Sequence, residues 1–120
     1  MDIDCGGNKQ YKTKSEAGAA LASFMDASGL SGLGTPWVNS SGNGLHVYWA
    51  FTEDIPVSTW KPVAENFKRM CKKFDLAIDM SVSADAARVL RVPGTFNWKN
   101  KENPRPVRIL QESDGPFDFD

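Results

Sequence analysis

One stretch in the second half of the chain carries a carboxylate, two arginines, an amide and a lysine in close order. These residues are Asp79, Arg88, Arg91, Asn97 and Lys99. The carboxylate ends an apolar run, and a Pro-Gly turn separates the arginines from the amide. Carboxylate oxygens are the ligands that Mg²⁺ prefers, and arginine and lysine bind phosphate oxygens. This order of residues is therefore typical of a site that handles a polyphosphate together with metal ions.

Two shorter motifs upstream supply complementary groups. Asp2 and Asp4 are separated by one residue, so on a β-strand, where side chains alternate, both carboxylates lie on the same face. The turn Ser41–Gly44 reads Ser-Gly-Asn-Gly and is followed by His46, the only histidine. The backbone N–H groups of such a turn can approach a phosphate, and the same four residues also suit a plain hairpin turn. Both interpretations of the turn stay open.

Together, these three motifs resemble those of the archaeo-eukaryotic primase superfamily, in the primase-polymerase form found in phages and plasmids. That family has an acidic D-x-D pair, an S-x-G-x-H-like segment, and a third aspartate before an R-x-x-R-x-P-G-T-x-N-x-K run. All three occur here in the family's order, between Asp2 and Lys99, which covers most of the chain. The third motif at its full length is the most specific.

The resemblance implies metal-dependent, template-directed nucleotidyl transfer with two Mg²⁺ or Mn²⁺ ions, in phage or plasmid replication. It assigns metal binding and catalysis to Asp2, Asp4 and Asp79. For the incoming nucleotide it implies a larger set of residues, namely Ser41, Gly44, His46, Arg88, Arg91, Asn97 and Lys99. The implied partners are nucleoside triphosphates, a single-stranded DNA template or primer, and a replicative helicase acting in trans.

A second hypothesis belongs to a different class of protein. The chain would be a nucleotide- or nucleic-acid-binding module that keeps the primase fold with little or no catalysis, and metal-dependent binding without product would mark it. A nuclease of the replication-initiator type fits poorly, because its chemistry uses a histidine pair and this chain has one histidine. A P-loop hydrolase is not supported, since the chain contains no G-x-x-x-x-G-K-[ST] segment.

Length and composition predict one domain without a membrane span. The chain has 120 residues, of which 41% are hydrophobic and 24% charged, and Cys5 and Cys71 form neither a disulfide framework nor a C-x-x-C zinc pair. No apolar run approaches about 20 residues, so we expect a cytoplasmic protein. The formal charge is −1, but four acidic residues lie in the last nine. We therefore predict a catalytic core over 1–112 and an acidic, flexible tail over 113–120.

Apolar periodicity and turn signals predict an α+β fold with an antiparallel sheet. Together with the resemblance, this implies an RRM-like catalytic sheet with helices packed on one face, as in a minimal or truncated primase-polymerase core. The predicted strands cover 2–5, 37–41, 45–51, 76–79, 95–98 and 107–111. The predicted helices run from the N-cap Thr13 to Gly29, from the N-cap Ser58 to about residue 74, and over 84–90.

The predicted strand 45–51 has two chemically different faces. Leu45, Val47, Trp49 and Phe51 share one face, and His46 shares the other with Tyr48. The apolar set should meet the helices. We therefore expect His46 on the open face of the sheet.

Overall fold

The first helix begins and ends where its sequence signals predict. In the computed structural model, which describes residues 1–120, α1 spans Lys14–Ser28. Thr13 Oγ1 accepts a hydrogen bond of 3.2 Å from the N–H of Glu16, and Gly29 ends the helix in the left-handed conformation with φ 80°. The Glu16 carboxylate accepts from the N–H of Lys12, so it caps one residue earlier than a standard capping box.

Six strands form two sheets. They are β1 (Asp2–Asp4), β2 (Trp37–Ser40), β3 (Gly44–Tyr48), β4 (Phe96–Asn97), β5 (Arg105–Pro106) and β6 (Arg108–Gln111). The larger sheet has the order β1-β3-β2-β6, and every pair in it is antiparallel. Strands β4 and β5 pair only with each other.

Both helices contribute to one core on a single face of the larger sheet. The second helix, α2, spans Val57–Lys73. The buried cluster joins apolar residues of β1, β2 and β3 to residues of both helices, namely Ile3, Val38, Leu45, Val47, Ala17, Leu21, Phe24, Met25 and Cys71. The ring of Phe24 meets that of Phe67 edge-on, with centroids 5.9 Å apart. The predicted α+β architecture, an antiparallel sheet covered by helices on one face, is confirmed. Neither helix is both long enough and apolar enough to cross a membrane.

The start of α2 differs from the prediction by its cap. Pro56 is the N-cap, and its carbonyl oxygen accepts from the N–H groups of Thr59 and Trp60, each at 2.9 Å. No side chain caps the helix. Ser58 therefore lies inside the first turn, because the fixed φ of proline already presets the entry into the helix.

Two elements predicted between 76 and 90 do not form. Residues 76–79 make no strand; their one hydrogen bond to β1 runs from the N–H of Asp79 to the carbonyl of Asp2 at 2.8 Å. Residues 84–90 form turns instead of a helix. Each turn links an N–H to the carbonyl three residues earlier, and the Asp79 and Asp85 side chains accept from backbone N–H groups two residues ahead. Such local aspartate bonds compete with helix formation.

Several predicted strand ends also shift. The segment expected at 95–98 forms β4 outside the larger sheet, while β6 joins that sheet beside β2 as predicted. Strand β3 ends at Tyr48 rather than at residue 51, and Phe51 makes only an isolated bridge to Phe117.

The C-terminal tail, expected to be flexible, is hydrogen bonded to two distant loops. The Asp114 carboxylate accepts from the N–H of Thr35 at 2.6 Å. The N–H of Phe117 donates to the carbonyl of Ala50 at 2.8 Å, and the Phe117 carbonyl accepts from the N–H of Thr52 at 2.9 Å. The acidic tail therefore pairs with the rest of the fold despite its charge.

Candidate functional site

The register of the larger sheet places three polar side chains in one row on the face opposite the helices. His46 of β3 pairs with Asp2 of β1 on one side and with Asn39 of β2 on the other. The apolar residues of the same strands point to the helices, because side chains alternate between faces. We call Asp2, His46 and Asn39 the polar row.

Each member of the polar row has a buried polar atom without a hydrogen-bond partner. The chain has four such side-chain atoms, and three of them are Asp2 Oδ1, His46 Nδ1 and Asn39 Oδ1. Leaving a buried donor or acceptor unpaired costs about 1–3 kcal/mol, so such groups are rare and mark places where water, an ion or a ligand completes the bonding. The polar row therefore has unused bonding capacity concentrated at one place.

The position of His46 corrects the sequence-based expectation. Its side chain is on the predicted face, but that face is not open there, because the residue is only 2% exposed. Its Nε2 lies 3.6 Å from Asp2 Oδ1, beyond direct hydrogen-bonding distance. Burial, with the nearby positive charges of Arg91 and the N-terminus, lowers the pKa of His46 to about 4. The imidazole is therefore neutral at pH 7.

The third aspartate lies beside the first although no strand carries it. The backbone hydrogen bond from Asp79 to Asp2 holds the segment against β1. Burial first, and then the negative charges of Asp4 and Asp79, raise the pKa of Asp2 to about 6. The Asp2 carboxylate therefore lies within the electrostatic influence of the other two.

Two of these carboxylates already have partners. Asp79 Oδ1 accepts from the N–H of Ser81 at 2.9 Å and from its hydroxyl at 2.6 Å, and these bonds lower the pKa of Asp79. Asp4 Oδ2 forms an ion pair of 3.0 Å with Lys9 Nζ. The acidic residues and His46 do not form a three-ligand group with the geometry of a metal site.

The two arginines differ in their contacts: Arg88 has partners within the chain and Arg91 has none. Because 84–90 is not helical, Arg88 and Arg91 do not lie on one face of a helix. Arg88 Nη2 donates to Ser81 Oγ at 3.3 Å, and its Nε lies 3.7 Å from Asp85 Oδ2. Arg91 has no hydrogen bond or ion pair, yet its charge contributes to lowering the pKa of both Asp2 and His46. Arg91 is therefore an unpaired side-chain cation whose charge reaches the polar row.

The polar groups of the hairpin turn and of Asn97 form hydrogen bonds within the fold. Ser41 Oγ accepts from the N–H of Gly44 at 3.2 Å. Asn97 Nδ2 donates to the carbonyl of Ser41 at 2.9 Å, and Asn97 Oδ1 accepts from the N–H of Lys99 at 3.0 Å. A Cβ atom on Gly44 would overlap the carbonyl oxygen of Ile3. The plain hairpin interpretation accounts for these contacts, and of this group Lys99 alone presents an exposed, unpaired side chain.

Asn39 is the member of the polar row that sequence reasoning missed. The sequence contained the information needed to find Asn39, because a hairpin turn at Ser41–Gly44 fixes the register of both strands. That register sets Asn39 directly across from His46. Counting back from the turn would have found it.

Comparison with known proteins identifies no relative of this chain. No protein-family model, no curated protein and no solved structure matches this chain. The fold and site define an α+β domain with two helices on one face of an antiparallel sheet and a buried polar row on the other.

Proposed function

We propose that this chain is the catalytic core of a metal-dependent nucleotidyltransferase of the primase-polymerase kind, which adds nucleotides to a strand under the direction of a template. The observation that carries the proposal is the hydrogen bond from the Asp79 N–H to the Asp2 carbonyl. It joins the two acidic motifs, which are far apart in sequence, at one end of β1. His46 lies in the same place, opposite Asp2 across β1 and β3.

Chain topology supports an RRM-like sheet. The order of elements is β1, α1, β2, β3, α2, with β3 between β1 and β2. Residues 76–79 then return to the free side of β1, where the fourth strand of a β-α-β-β-α-β fold lies. Residues 76–79 follow the path of that fourth strand, but they make only one backbone hydrogen bond to β1.

Asp2, Asp4 and Asp79 fit a divalent cation by the chemistry of their donors. Carboxylate oxygens are hard ligands suited to Mg²⁺ and Mn²⁺. Asp2 Oδ1 is buried without a partner, and the pKa of Asp2 is raised in part by the two neighbouring carboxylates. A cation would supply the charge that activates the attacking hydroxyl and stabilises the leaving pyrophosphate.

Other residues of the chain would hold the nucleotide. Arg91 is exposed, unpaired and close enough to influence the polar row, so its guanidinium can meet a phosphate in a two-pronged bond. Lys99 offers a second exposed cation. The neutral ring of His46 can donate one hydrogen bond and accept another, and its Nδ1 has no partner within the chain. Because His46 is only 2% exposed, the cover over it would have to open before the ring could meet a nucleotide.

The direct test is strand synthesis on a defined template. The protein is incubated with a primed single-stranded template, labelled nucleotides and Mn²⁺ or Mg²⁺, beside Asp79→Asn and the matched exposed control Asp26→Asn. We expect template-dependent product, and we expect its rate of formation to fall at least about a hundredfold in Asp79→Asn. One electrostatic group at a reacting centre contributes a factor of about 10²–10³ to the rate. Equal product from both variants would exclude the assigned site.

A binding module without efficient catalysis is the second candidate. Two contacts favour it, because the Asp4 carboxylate is paired with Lys9 and Asp79 is bonded twice by Ser81. These contacts engage one oxygen of each carboxylate, so only the second oxygen of each is free to hold an ion. Metal-dependent binding of a nucleoside triphosphate, measured by calorimetry, without product in the synthesis assay would establish this candidate over the first.

A further inference from the structure

Positive charge is concentrated in two stretches of an otherwise acidic chain: residues 61–73 on α2, with five basic side chains and one acid, and residues 88–111. Residues 88–111 contain six arginines or lysines and a single acid, Glu102, which gives a formal charge of +5. The remaining residues carry eight basic and fourteen acidic side chains, a formal charge of −6. The charge of −1 for the whole chain therefore conceals a strongly basic segment.

Most of these cations have no acidic partner. Arg88 is the only one of the six in an ion pair, with Asp85. The side chains of the other five make no hydrogen bond or ion pair, and all five residues are exposed, namely Arg91, Lys99, Lys101, Arg105 and Arg108. Unpaired, exposed cations at this density attract a polyanion.

Two exposed aromatic rings lie among these cations. Phe96 and Trp98 are 52% and 61% exposed, and their ring centroids are 6.3 Å apart. Asn97, between them in sequence, points inward and is held by its bond to the Ser41 carbonyl. Because side chains alternate along a strand, this anchor fixes both rings on the outer side of the β4–β5 hairpin.

We propose that the β4–β5 hairpin, residues 96–106, binds single-stranded DNA, with Phe96 and Trp98 stacking on bases and Lys99, Lys101 and Arg105 meeting phosphates. The inference rests on the proposed function for the identity of the strand, which would be the template. Aromatic rings beside unpaired cations are the combination that holds single strands without sequence preference. A duplex offers no free base faces along its length, because its bases are stacked on one another.

The test is fluorescence anisotropy of a labelled oligo-dT in EDTA, so that no metal-dependent step contributes. We expect Trp98→Leu to weaken binding at least fivefold, because one stacked base contributes about 1–3 kcal/mol. In Lys101→Gln/Arg105→Gln, the slope of log affinity against log salt should fall by about 1.4, at about 0.7 for each phosphate contact on a single strand. Lys61→Gln/Lys72→Gln, an equal loss of exposed charge on α2, should leave the affinity within twofold.

The outcomes separate this inference from the proposed function. Binding that is lost in Trp98→Leu and kept in Asp79→Asn supports the hairpin, even if the chain synthesises no strand. Synthesis by a chain whose oligo-dT affinity is unchanged in Trp98→Leu would overturn the hairpin and leave the function standing. If duplex DNA or anionic lipid vesicles bind as tightly as oligo-dT, and Trp98→Leu changes none of these affinities, charge alone explains the interaction. That result would also overturn the hairpin proposal.

Discussion

The main-chain N–H of Asp79 donates to the main-chain carbonyl of Asp2 over 2.8 Å. Asp2 belongs to the first strand and Asp79 to a loop that follows the second helix, so one bond joins the two acidic motifs. The side chain of Asp79 is then set by Ser81, through the N–H and the hydroxyl of that residue. The position of the third carboxylate therefore depends on a local turn and not on sheet pairing.

Asp2→Asn should stabilise the metal-free protein near neutral pH. The folded state raises the pKa of Asp2 from 3.8 to about 6, mainly by burial. Between those values the folded chain binds more protons than the unfolded chain, so the free energy of unfolding falls as pH rises through the window. Above pH 6, the ionised Asp2 carboxylate lowers the free energy of unfolding by roughly 2–3 kcal/mol. The lowered pKa of His46 gives the opposite slope between about pH 4 and 6.5, so the two contributions oppose each other in the wild type. In urea unfolding in EDTA, the stability that Asp2→Asn gains over the wild type should therefore grow from near zero at pH 4 to its full value at pH 7, and Asp26→Asn should match the wild type throughout.

Divalent cations should raise the melting temperature through the same carboxylates. A ligand that binds only the folded state stabilises it by about 2.7 kcal/mol at a hundred times its Kd. We expect Mn²⁺ to raise the melting temperature by several degrees in the wild type and in Asp26→Asn, and to have little effect in Asp2→Asn or Asp79→Asn. An equal rise in all four proteins would place the cation elsewhere.

Gly44→Ala should strongly destabilise the chain. The new Cβ would overlap the backbone oxygen of Ile3, and a backbone atom in a paired strand cannot move aside cheaply. We expect a loss of more than about 3 kcal/mol in urea unfolding, at the upper end of single-residue effects. Gly18→Ala is the matched control, because it lies in α1 with open space around it. That change should stabilise by about 0.5–1 kcal/mol.

Asn97→Ala tests whether this residue holds the hairpin or a nucleotide. Its amide makes two hydrogen bonds within the fold, to the Ser41 carbonyl and to the Lys99 N–H. Removing a buried partner costs about 1–3 kcal/mol, so we expect that loss in stability and weaker oligo-dT binding. Unchanged stability with weaker nucleotide binding would restore the role implied by the family resemblance.

Local signals predicted α1, α2 and the central hairpin well. Thr13 and Gly29 mark the ends of α1, and the turn from Ser41 to Gly44 connects β2 and β3 as expected. These features depend on bonds between residues close in sequence. The end of α2 was also predicted closely, at about residue 74, with only its cap misjudged.

The region from 76 to 98 was predicted less well because short-range polar bonds override its periodicity. Asp79 and Asp85 draw nearby N–H groups into turns, which oppose the predicted helix. Within the predicted strand, the N–H of Ala77 donates to the Tyr11 hydroxyl and not to a strand. β4 looks like a sheet strand in sequence, but its partner is β5. Which strand pairs with which is a long-range choice that periodicity does not encode.

Part of the candidate site followed from the sequence alone. The shared face of Asp2 and Asp4 comes from alternation, and the contact of Asp79 with Asp2 agrees with the expected neighbourhood. The burial of His46 did not follow, because alternation assigns a side chain to a face and does not say what covers it. The metal and nucleotide roles remain predictions.

The order of strands in the larger sheet sets the sequence of events in folding. The β2–β3 hairpin is the one pairing between neighbouring segments, whereas β1 and β6 reach their partners from residues 2–4 and 108–111. Closing long loops costs more entropy before any contact forms, so such pairings come late. We therefore expect His46 and Asn39 to face each other before Asp2 joins them, because β1 reaches β3 across a longer loop. An assembled polar row would then report that β1 has paired.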